Sequence, residues 1–377
     1  MKIKVLHIQL LPLLSGVQNM MLNLIENLGE EKFKFYVISA SNGPLVQKLR
    51  ELKIEHFQIP ELRRRINIIK DIMVFLKFYQ ICIREKFDIV HTHSSKTGFL
   101  GRIAAKLAGI KVIVHTIHGF PFNPFQNLIL QNFYKTLEKT AEKFCDKVIS
   151  VNESERELAV KEKIIPKDKI ITIFNGISKS ESFSSIPKND LGFRKSDTVI
   201  GYVSRFSKQK NIIDLIKVAI EIVKCNENIK FIFIGDGELW NNAKNLVESA
   251  KMSVNILLPG WKNDIPDWLG LFDIFILYSK WEGLSLSILE AMSGGKPIIA
   301  SKIKGNNELV FDGKNGFLVE IGNHKTLKEK IVWLANHKNE REKMGLESKK
   351  LAQEKFSLEN FVNSYKNEYI KLYQKKL

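Results

Sequence analysis

Two glutamates, Glu282 and Glu290, stand eight positions apart in the stretch Trp281–Ser301, among glycines and ahead of a proline. The apolar run Asp273–Tyr278 before them reads as a buried strand of a parallel sheet. After Glu282, the residues Leu286, Ile288, Leu289 and Met292 can pack a helix, and Gly294-Gly295 supplies its stop. A short strand, Pro297–Ala300, follows. Glu282 therefore falls in a loop at the carboxyl end of a strand, and Glu290 one or two turns into the next helix. In open α/β sheets that crevice is where ligands bind. The backbone N–H groups near Leu284–Leu286 open the helix and favour an anion such as a diphosphate.

A second set of charges lies in Gly201–Asn211, G-Y-V-S-R-F-S-K-Q-K-N. It sets Arg205 after a strand and Lys210 just before a helix that begins near Asn211. Two cations converging on a helix N-terminus make an anion pocket. Near the start of the chain, Gly16 follows the first strand and opens a helix, where a glycine lets backbone approach a phosphate or sugar closely. The segment Phe231–Glu238 reads as a strand followed by a glycine turn at Gly235 and Gly237. Four histidines, His91, His93, His115 and His118, lie close together in sequence. Imidazoles suit zinc, but no Cys, Asp or Glu completes a ligand set, so no metal is expected. His91 and His115 read as core residues. No dinucleotide fingerprint or Walker A loop occurs, so neither NAD binding nor ATP hydrolysis is favoured and no cofactor is expected.

Holding these residues requires sheets. Short buried strands are read at Lys4–Gln9, Phe35–Ser39, Asp88–Thr92, Lys111–Thr116, Lys147–Val151 and Lys169–Phe174, with helical spacing at Gln18–Leu28, Ile68–Ile83 and Gly98–Leu107. That alternation predicts a doubly wound parallel sheet. Asn175-Gly176 marks a turn, and the polar stretch 178–197 reads as a linker. Strands then resume near Val199–Val203, Lys230–Ile234, Ile256–Leu258, Ile274–Leu277, Pro297–Ala300 and Phe317–Glu320. The end of the chain, Leu358–Leu377, reads as an amphipathic helix with Phe361, Tyr365, Tyr369 and Tyr373 at intervals of four. The expected domains are thus 1–177, a linker 178–197, 198–357, and a terminal helix 358–377.

The composition fits two domains: 377 residues, 44% hydrophobic and 26% charged. The three cysteines, Cys82, Cys145 and Cys225, have neither metal nor disulfide spacing and read as reduced thiols. No apolar segment approaches the ~20 residues that span a bilayer, so an integral membrane protein is not expected. Residues Val5–Leu14 read as a first strand and loop, since His7 and Gln9 interrupt a signal-peptide pattern. The net charge is +17, with 28 Lys/Arg against 17 Asp/Glu in residues 1–180. Such an excess suits an anionic partner. With no nucleic-acid module in the sequence, a phosphorylated substrate or an anionic membrane is preferred to nucleic acid.

The Trp281–Ser301 segment resembles the E-x7-E signature of retaining family-4 glycosyltransferases, with the surrounding E-G-x-x-x-x-x-x-E-A-M-x-x-G-x-P-x-I-A-S pattern matched almost in full. The resemblance extends over nearly the whole chain. It implies an α/β, GT-B architecture: two doubly wound Rossmann-like domains facing across a cleft, with the last helix crossing back to the first domain. It implies an N-terminal acceptor-binding domain and a C-terminal nucleotide-sugar-binding domain. Arg205 and Lys210 match the family's diphosphate-binding cations, although Ser204 and Asn211 replace its commoner glycines. Glu282 would contact sugar hydroxyls and Glu290 the ribose. Gly235 and the loop with Gly260 and Trp261 would surround the base, and Gly283, Leu284 and Ser285 would line the donor site. Gly16 matches one glycine of the family's glycine-rich loop, with Ser15 in place of the other. His118 matches the histidine near the transferred sugar and acceptor, and His93 would line the acceptor side.

The resemblance therefore implies a retaining, metal-independent hexosyl- or N-acetylhexosaminyltransferase. Its donor would be a nucleotide-diphosphate sugar, UDP-linked by preference. Its acceptor would be a lipid-linked or soluble glycan, with polyprenyl diphosphate the favoured carrier, in surface polysaccharide synthesis. Two rivals are a sugar-nucleotide epimerase of the same fold and a catalytically silent sugar-nucleotide-binding subunit. Arg63–Lys86 carries seven basic residues against two acidic ones around an apolar middle, Ile72–Ile83. The apolar middle is expected to pack on the sheet. The basic rim predicts peripheral, salt-sensitive binding at the cytoplasmic face of the plasma membrane.

Overall fold

The computed structural model describes residues 2–29, 31–178 and 186–377, so residues 179–185 of the expected linker lie outside the described residues. The chain divides into two compact units, residues 1–176 with Leu358–Leu377, and residues 177–357.

Unit 1 alternates β1 (Ile3–Ile8), α1 (Gly16–Asn27), β2 (Phe33–Ser39), α2 (Pro44–Glu51), β3 (Glu55–Gln58), α3 (Ile68–Glu85), β4 (Ile89–His93), α4 (Ser95–Leu107), β5 (Val112–Ile117), α5 (Leu128–Glu142), β6 (Lys147–Ser150), α6 (Glu153–Lys161) and β7 (Ile170–Thr172). The seven strands form one sheet in the order β3-β2-β1-β4-β5-β6-β7, every pair parallel. Alternation along each strand divides the core between two faces. On β1, Val5 joins a cluster with Met21, Leu24, Val114 and Ile149, whereas Leu6 and Ile8 join Ile38, Val90, Phe78 and Ala104 on the other side. Both faces are covered, which is why these strands read as near-continuous apolar runs. Asparagines start several helices: the side chains of Asn67, Asn127 and Asn152 accept from backbone N–H groups of the first turn of α3, α5 and α6.

Unit 2 runs β8 (Thr198–Val203), α7 (Ile212–Cys225), β9 (Ile229–Ile234), α8 (Trp240–Ser249), β10 (Ile256–Gly260), α9 (Ile265–Leu271), β11 (Ile274–Leu277), α10 (Leu286–Ser293), β12 (Ile298–Ser301), α11 (Lys304–Asn307), β13 (Gly316–Val319), α12 (His324–Asn336) and α13 (Lys338–Lys355). Its parallel sheet has the order β10-β9-β8-β11-β12-β13. The strand order reverses between β1 and β4 in unit 1, and between β8 and β11 in unit 2. Loops after those strands flank a topological switch point, where open α/β sheets bind ligands.

The last helix, α14 (Leu358–Gln374), belongs to unit 1. Phe361, Val362, Tyr365 and Tyr369 enter the same core cluster as α1, while Tyr373, the fourth aromatic of the expected stripe, stays partly exposed. Two sequence expectations need correction. Strand β3 went unread, because Glu-His-Phe-Gln at a sheet edge has no apolar run to signal it. In α3 only Val74, Phe78 and Cys82 are buried; Ile72, Met73, Leu76 and Ile83, which were expected to pack on the sheet, are exposed.

Candidate active site

In unit 2 the loop after β8 lies against the loop after β9 with no room for a side chain between them. A Cβ on Gly235 (φ +139°) would sit 2.0 Å from the Ser204 carbonyl oxygen, and one on Gly237 (φ +153°) 2.5 Å from that of Phe206. Asn211 takes φ 53°, a left-handed conformation that asparagine tolerates, so the loop reaches α7 without a glycine there.

The neighbouring loop, after β11, is fastened to the first. Gln209 Nε2 donates to the Trp281 carbonyl at 2.9 Å, and the Lys280 N–H donates to the Gln209 carbonyl at 2.8 Å. Lys210 Nζ then reaches Glu282 Oε1 at 2.6 Å, with side-chain exposures of 16% and 8%. Arg205 instead pairs with Glu238, Nη2 to Oε2 at 2.9 Å, where both groups are half exposed. The two cations expected to converge on one anion site thus each hold a different carboxylate. Glu238 was overlooked as a partner, although it directly follows the Gly-Asp-Gly turn.

Ser285 caps α10 by accepting from the Ile288 N–H at 3.4 Å, which leaves the N–H groups of Leu286 and Ser287 without intrahelical acceptors. One and a half turns further on, the Glu290 carboxylate has no partner among the described residues. Burial alone pushes its pKa up to about 7. Gly260 (φ +79°) ends β10 and accepts from the Gly235 N–H at 3.0 Å, and Trp261 beside it is exposed. Gly283 and Leu284 complete the loop; Gly305 backs it, since a Cβ there would sit 2.1 Å from the Gly283 carbonyl oxygen.

In unit 1, Gly16 is the first residue of α1, and Ser15 Oγ before it donates to Gln18 Oε1 at 2.5 Å. His93 ends β4, fully buried, and its Nδ1 lies 3.1 Å from Nε2 of the partly buried His118 in the loop after β5. His91 and His115 are buried as expected, on opposite faces of the sheet. His91 binds Tyr369 Oη (2.5 Å) and Thr116 Oγ1 (2.7 Å), whereas His115 Nδ1 binds Thr92 Oγ1 (2.9 Å). The sequence reading missed His7, whose Nδ1 is 3.0 Å from His93 Nε2. Ring nitrogens of His7, His91 and His93 all lie within 4.8 Å of one another, a spacing that raises the metal question afresh. Both nitrogens of His91 and of His93 are already bonded within the protein, so the trio offers a single open nitrogen, His7 Nε2. A zinc site needs three or four open lone pairs, and these residues do not fit one. Burial lowers His7 and His118 to about 3 and His91 and His93 well below the ordinary imidazole value, so all four are neutral near pH 7.

Two Rossmann-like units, with histidines at the switch point of the first and charged loops at that of the second, are the parts of a GT-B glycosyltransferase. The crystal structure of Anabaena Alr3699/HepE in complex with UDP has that same fold, with a TM-score of 0.81 over 98% of this chain and all of that one, at 19% identity. The model described as Glycosyltransferase Family 4 matches residues 14–181, and that of Glycosyl transferases group 1 matches residues 185–351. Over 345 residues, 89% of each chain, the sequence is 40% identical to the UDP-Gal:alpha-D-GlcNAc-diphosphoundecaprenol alpha-1,3-galactosyltransferase of Escherichia coli. It is 26% identical over 362 residues to the capsular polysaccharide biosynthesis glycosyltransferase CapM of Staphylococcus aureus, covering 91% of this chain and 93% of that one. The chain belongs to the family-4 glycosyltransferases.

Proposed function

We propose that this enzyme moves a hexosyl or N-acetylhexosaminyl group from a UDP-sugar to a polyprenyl-diphosphate-linked glycan, in surface polysaccharide synthesis, with retention and without a metal. The observation that carries the donor site is the partly buried Lys210–Glu282 pair joining the loops after β8 and β11, with the desolvated Glu290 following in α10. The acceptor class is supported by the Escherichia coli relative, whose name gives GlcNAc-diphosphoundecaprenol as its acceptor.

Donor binding would exchange the carboxylate partners of Lys210 and Arg205 for the diphosphate. The bond from the anomeric carbon to the diphosphate oxygen breaks toward an oxocarbenium-like state, and both electrons leave with the oxygen. Lys210, Arg205 and the free N–H groups of Leu286 and Ser287 stabilise that growing charge, the task a divalent metal performs elsewhere. The acceptor hydroxyl attacks from the same face, forms the new bond to the anomeric carbon, and passes its proton to the departing diphosphate. No covalent nucleophile is assigned. Glu282 holds sugar hydroxyls and Glu290 the ribose; Gly235, Gly260 and Trp261 adjoin the base. Gly283, Leu284, Ser285 and Gly16 bind the donor, and His118 serves the transferred sugar and acceptor. His93, expected to line the acceptor side, is fully buried with both ring nitrogens bonded within the protein, so it acts only through His118.

The test is transfer from a panel of UDP- and GDP-sugars, UDP-galactose first, to undecaprenyl-diphosphate-GlcNAc and to soluble glycans. The anomeric configuration of the product is read by NMR. A product of inverted configuration would reject retention. Release of an epimerised sugar or free nucleotide without acceptor would favour an epimerase, and no turnover of any donor would favour a silent subunit. We further propose that unit 1 docks reversibly on the inner leaflet, through exposed apolar residues and the Arg63–Arg65 cluster at the start of α3.

A further inference from the structure

Three imidazoles run in line through unit 1. His118 Nε2 meets His93 Nδ1 at 3.1 Å, and His93 Nε2 meets His7 Nδ1 at 3.0 Å. The line ends at His7 Nε2, which is buried and has no hydrogen-bond partner among the described residues. At its other end, His118 Nδ1 has no hydrogen-bond partner among the described residues. The rings are fixed in place: His7 stacks on His93 with an interplanar angle of 13°, and His91 lies 4.2 Å from His93 between centroids. His91 is itself tied to α14 through Tyr369, and Thr116 Oγ1 links it to Tyr365 Oη at 3.0 Å.

A neutral imidazole has one N–H and one lone pair. Each of the two ring-to-ring contacts needs one of each, which leaves only two proton arrangements for the whole line. In the first, His118 Nε2–H donates to His93, His93 Nε2–H donates to His7, and the His7 proton sits on Nε2 as a buried N–H with no acceptor. In the second, His7 Nδ1–H donates to His93, His93 Nδ1–H donates to His118, and the unpaired atom at His7 is a lone pair. Orphaned buried N–H groups are rarer in proteins than under-satisfied acceptors, so the second arrangement wins.

We propose that His7 and His93 are positioning residues that lock His118 in its Nδ1–H tautomer, so that His118 offers a hydrogen-bond donor to an oxygen of the transferred sugar or acceptor and does not act as a base. The proposal rests on the role given to His118 above. It agrees with a mechanism in which the acceptor proton goes to the leaving diphosphate. The partner on the far side of a histidine ring sets which nitrogen is protonated, and here that partner is another histidine with its own partner.

Ring-15N histidine NMR of the full chain tests this directly, with the His118 signals identified by their loss in His118→Gln. Nδ1 should show as protonated and Nε2 as a lone-pair nitrogen. His7→Leu removes the donor that orders the line; it should mix the His118 tautomers and lower kcat roughly 10- to 100-fold, with KM for the donor little changed. His7→Asn, whose amide N–H can stand where Nδ1–H stood, should restore the single tautomer and most of the lost rate. An Nε2–H tautomer at His118 in the wild-type protein would overturn the proposal. So would a His7→Leu protein with wild-type tautomer and rate, or a stoichiometric metal ion held by His7, His91 and His93. Full activity in His118→Gln would instead remove the role of His118 in the reaction, while the ring spectrum still judges the line itself.

Discussion

Lys210 Nζ lies 2.6 Å from Glu282 Oε1, joining the loop after β8 to the loop after β11 at a point 16% and 8% exposed. Breaking a buried pair leaves an uncompensated charge, whereas an exposed pair such as Arg205–Glu238 contributes little to stability. Both cations are proposed to hold the diphosphate. Lys210→Ala and Arg205→Ala should therefore each cut turnover by roughly 10²- to 10³-fold. Only Lys210→Ala should also lower the melting temperature. Steady-state kinetics with thermal melts decide it: equal melting losses would mean the two pairs are not buried differently, and wild-type rates would put the diphosphate elsewhere.

Glu290 should link donor binding, stability and pH. Its carboxyl titrates near 4.5 when unfolded and is raised by burial to about 7 when folded. Between those values the folded state holds the extra proton, so its stability falls as pH rises from 4.5 to 7 and stays lower above. Glu290→Gln removes that burden and should raise the melting temperature at pH 8 with no gain at pH 4.5. It should also weaken UDP binding at pH 8, because an ionised carboxylate accepts from both ribose hydroxyls and an amide does not. In the wild-type protein UDP binding should weaken as pH falls below about 7. Melts and calorimetry at several pH values check both signs. Glu282→Ala, by contrast, should slow the chemical step as well as weaken binding.

What could be read in advance follows from what a linear pattern contains. The central strands of both sheets are buried on both faces, so their apolar runs stood out, and the glutamates fell in the expected loop and helix. Lys210 and Glu282 were each singled out, yet their contact spans 72 positions and depends on β8 lying beside β11 with β9 and β10 elsewhere. Strand order is not a local property. For the same reason His7 gave no signal, since it meets His93 only because β1 pairs with β4. The apolar half of α3 misled because spacing shows that a face is apolar but not whether anything covers it.

Gly305 packs directly against the backbone of the loop that carries Glu282, and the motifs did not mark it. A Cβ there would meet the carbonyl oxygens of Gly283 at 2.1 Å and Glu282 at 2.8 Å, both backbone atoms that cannot swing aside. Gly305→Ala should displace the loop that carries Glu282 and reduce kcat, although the substituted residue is outside the assigned donor set. Gly313→Ala, at a glycine with open space around it but a left-handed φ of +74°, serves as the comparison: it should cost stability and leave kcat intact. Equal kcat values for the two variants would argue that the loop yields without consequence.

The proposed metal independence rests on the two cations of the loop after β8. EDTA should leave turnover unchanged, because Arg205, Lys210 and the start of α10 supply the positive field at the leaving group. Loss of activity that magnesium restores would show that a metal bridges the diphosphate instead.

The proposed membrane contact can be tested by its two components. At the start of α3, Ile66, Ile68, Ile69, Ile72, Met73 and Leu76 are exposed, and at the start of α5 Leu128 and Ile129 are exposed, Ile129 to 84%. Both helices pack against α4 and begin beyond the carboxyl ends of strands, on the edge of unit 1 that carries His93 and His118. Arg63, Arg64, Arg65 and Lys70 lie beside the apolar residues and form no ion pair among the described residues, whereas Lys77 is held by Glu61 and Arg84 by Glu85. Each unpaired cation near an anionic leaflet adds about 1 kcal/mol of attraction, screened by salt, while inserted side chains add a salt-independent part. Co-sedimentation should show binding to anionic vesicles that weakens at high salt, and little binding to neutral ones. Replacing Arg63, Arg64 and Arg65 with Ser should remove the salt dependence. Replacing Ile68, Ile69 and Ile129 with Ser should weaken binding at every salt concentration and raise KM for a lipid-linked acceptor but not for a soluble one. Equal binding to neutral and anionic vesicles, or unaltered binding in both variants, would reject this surface as the membrane contact.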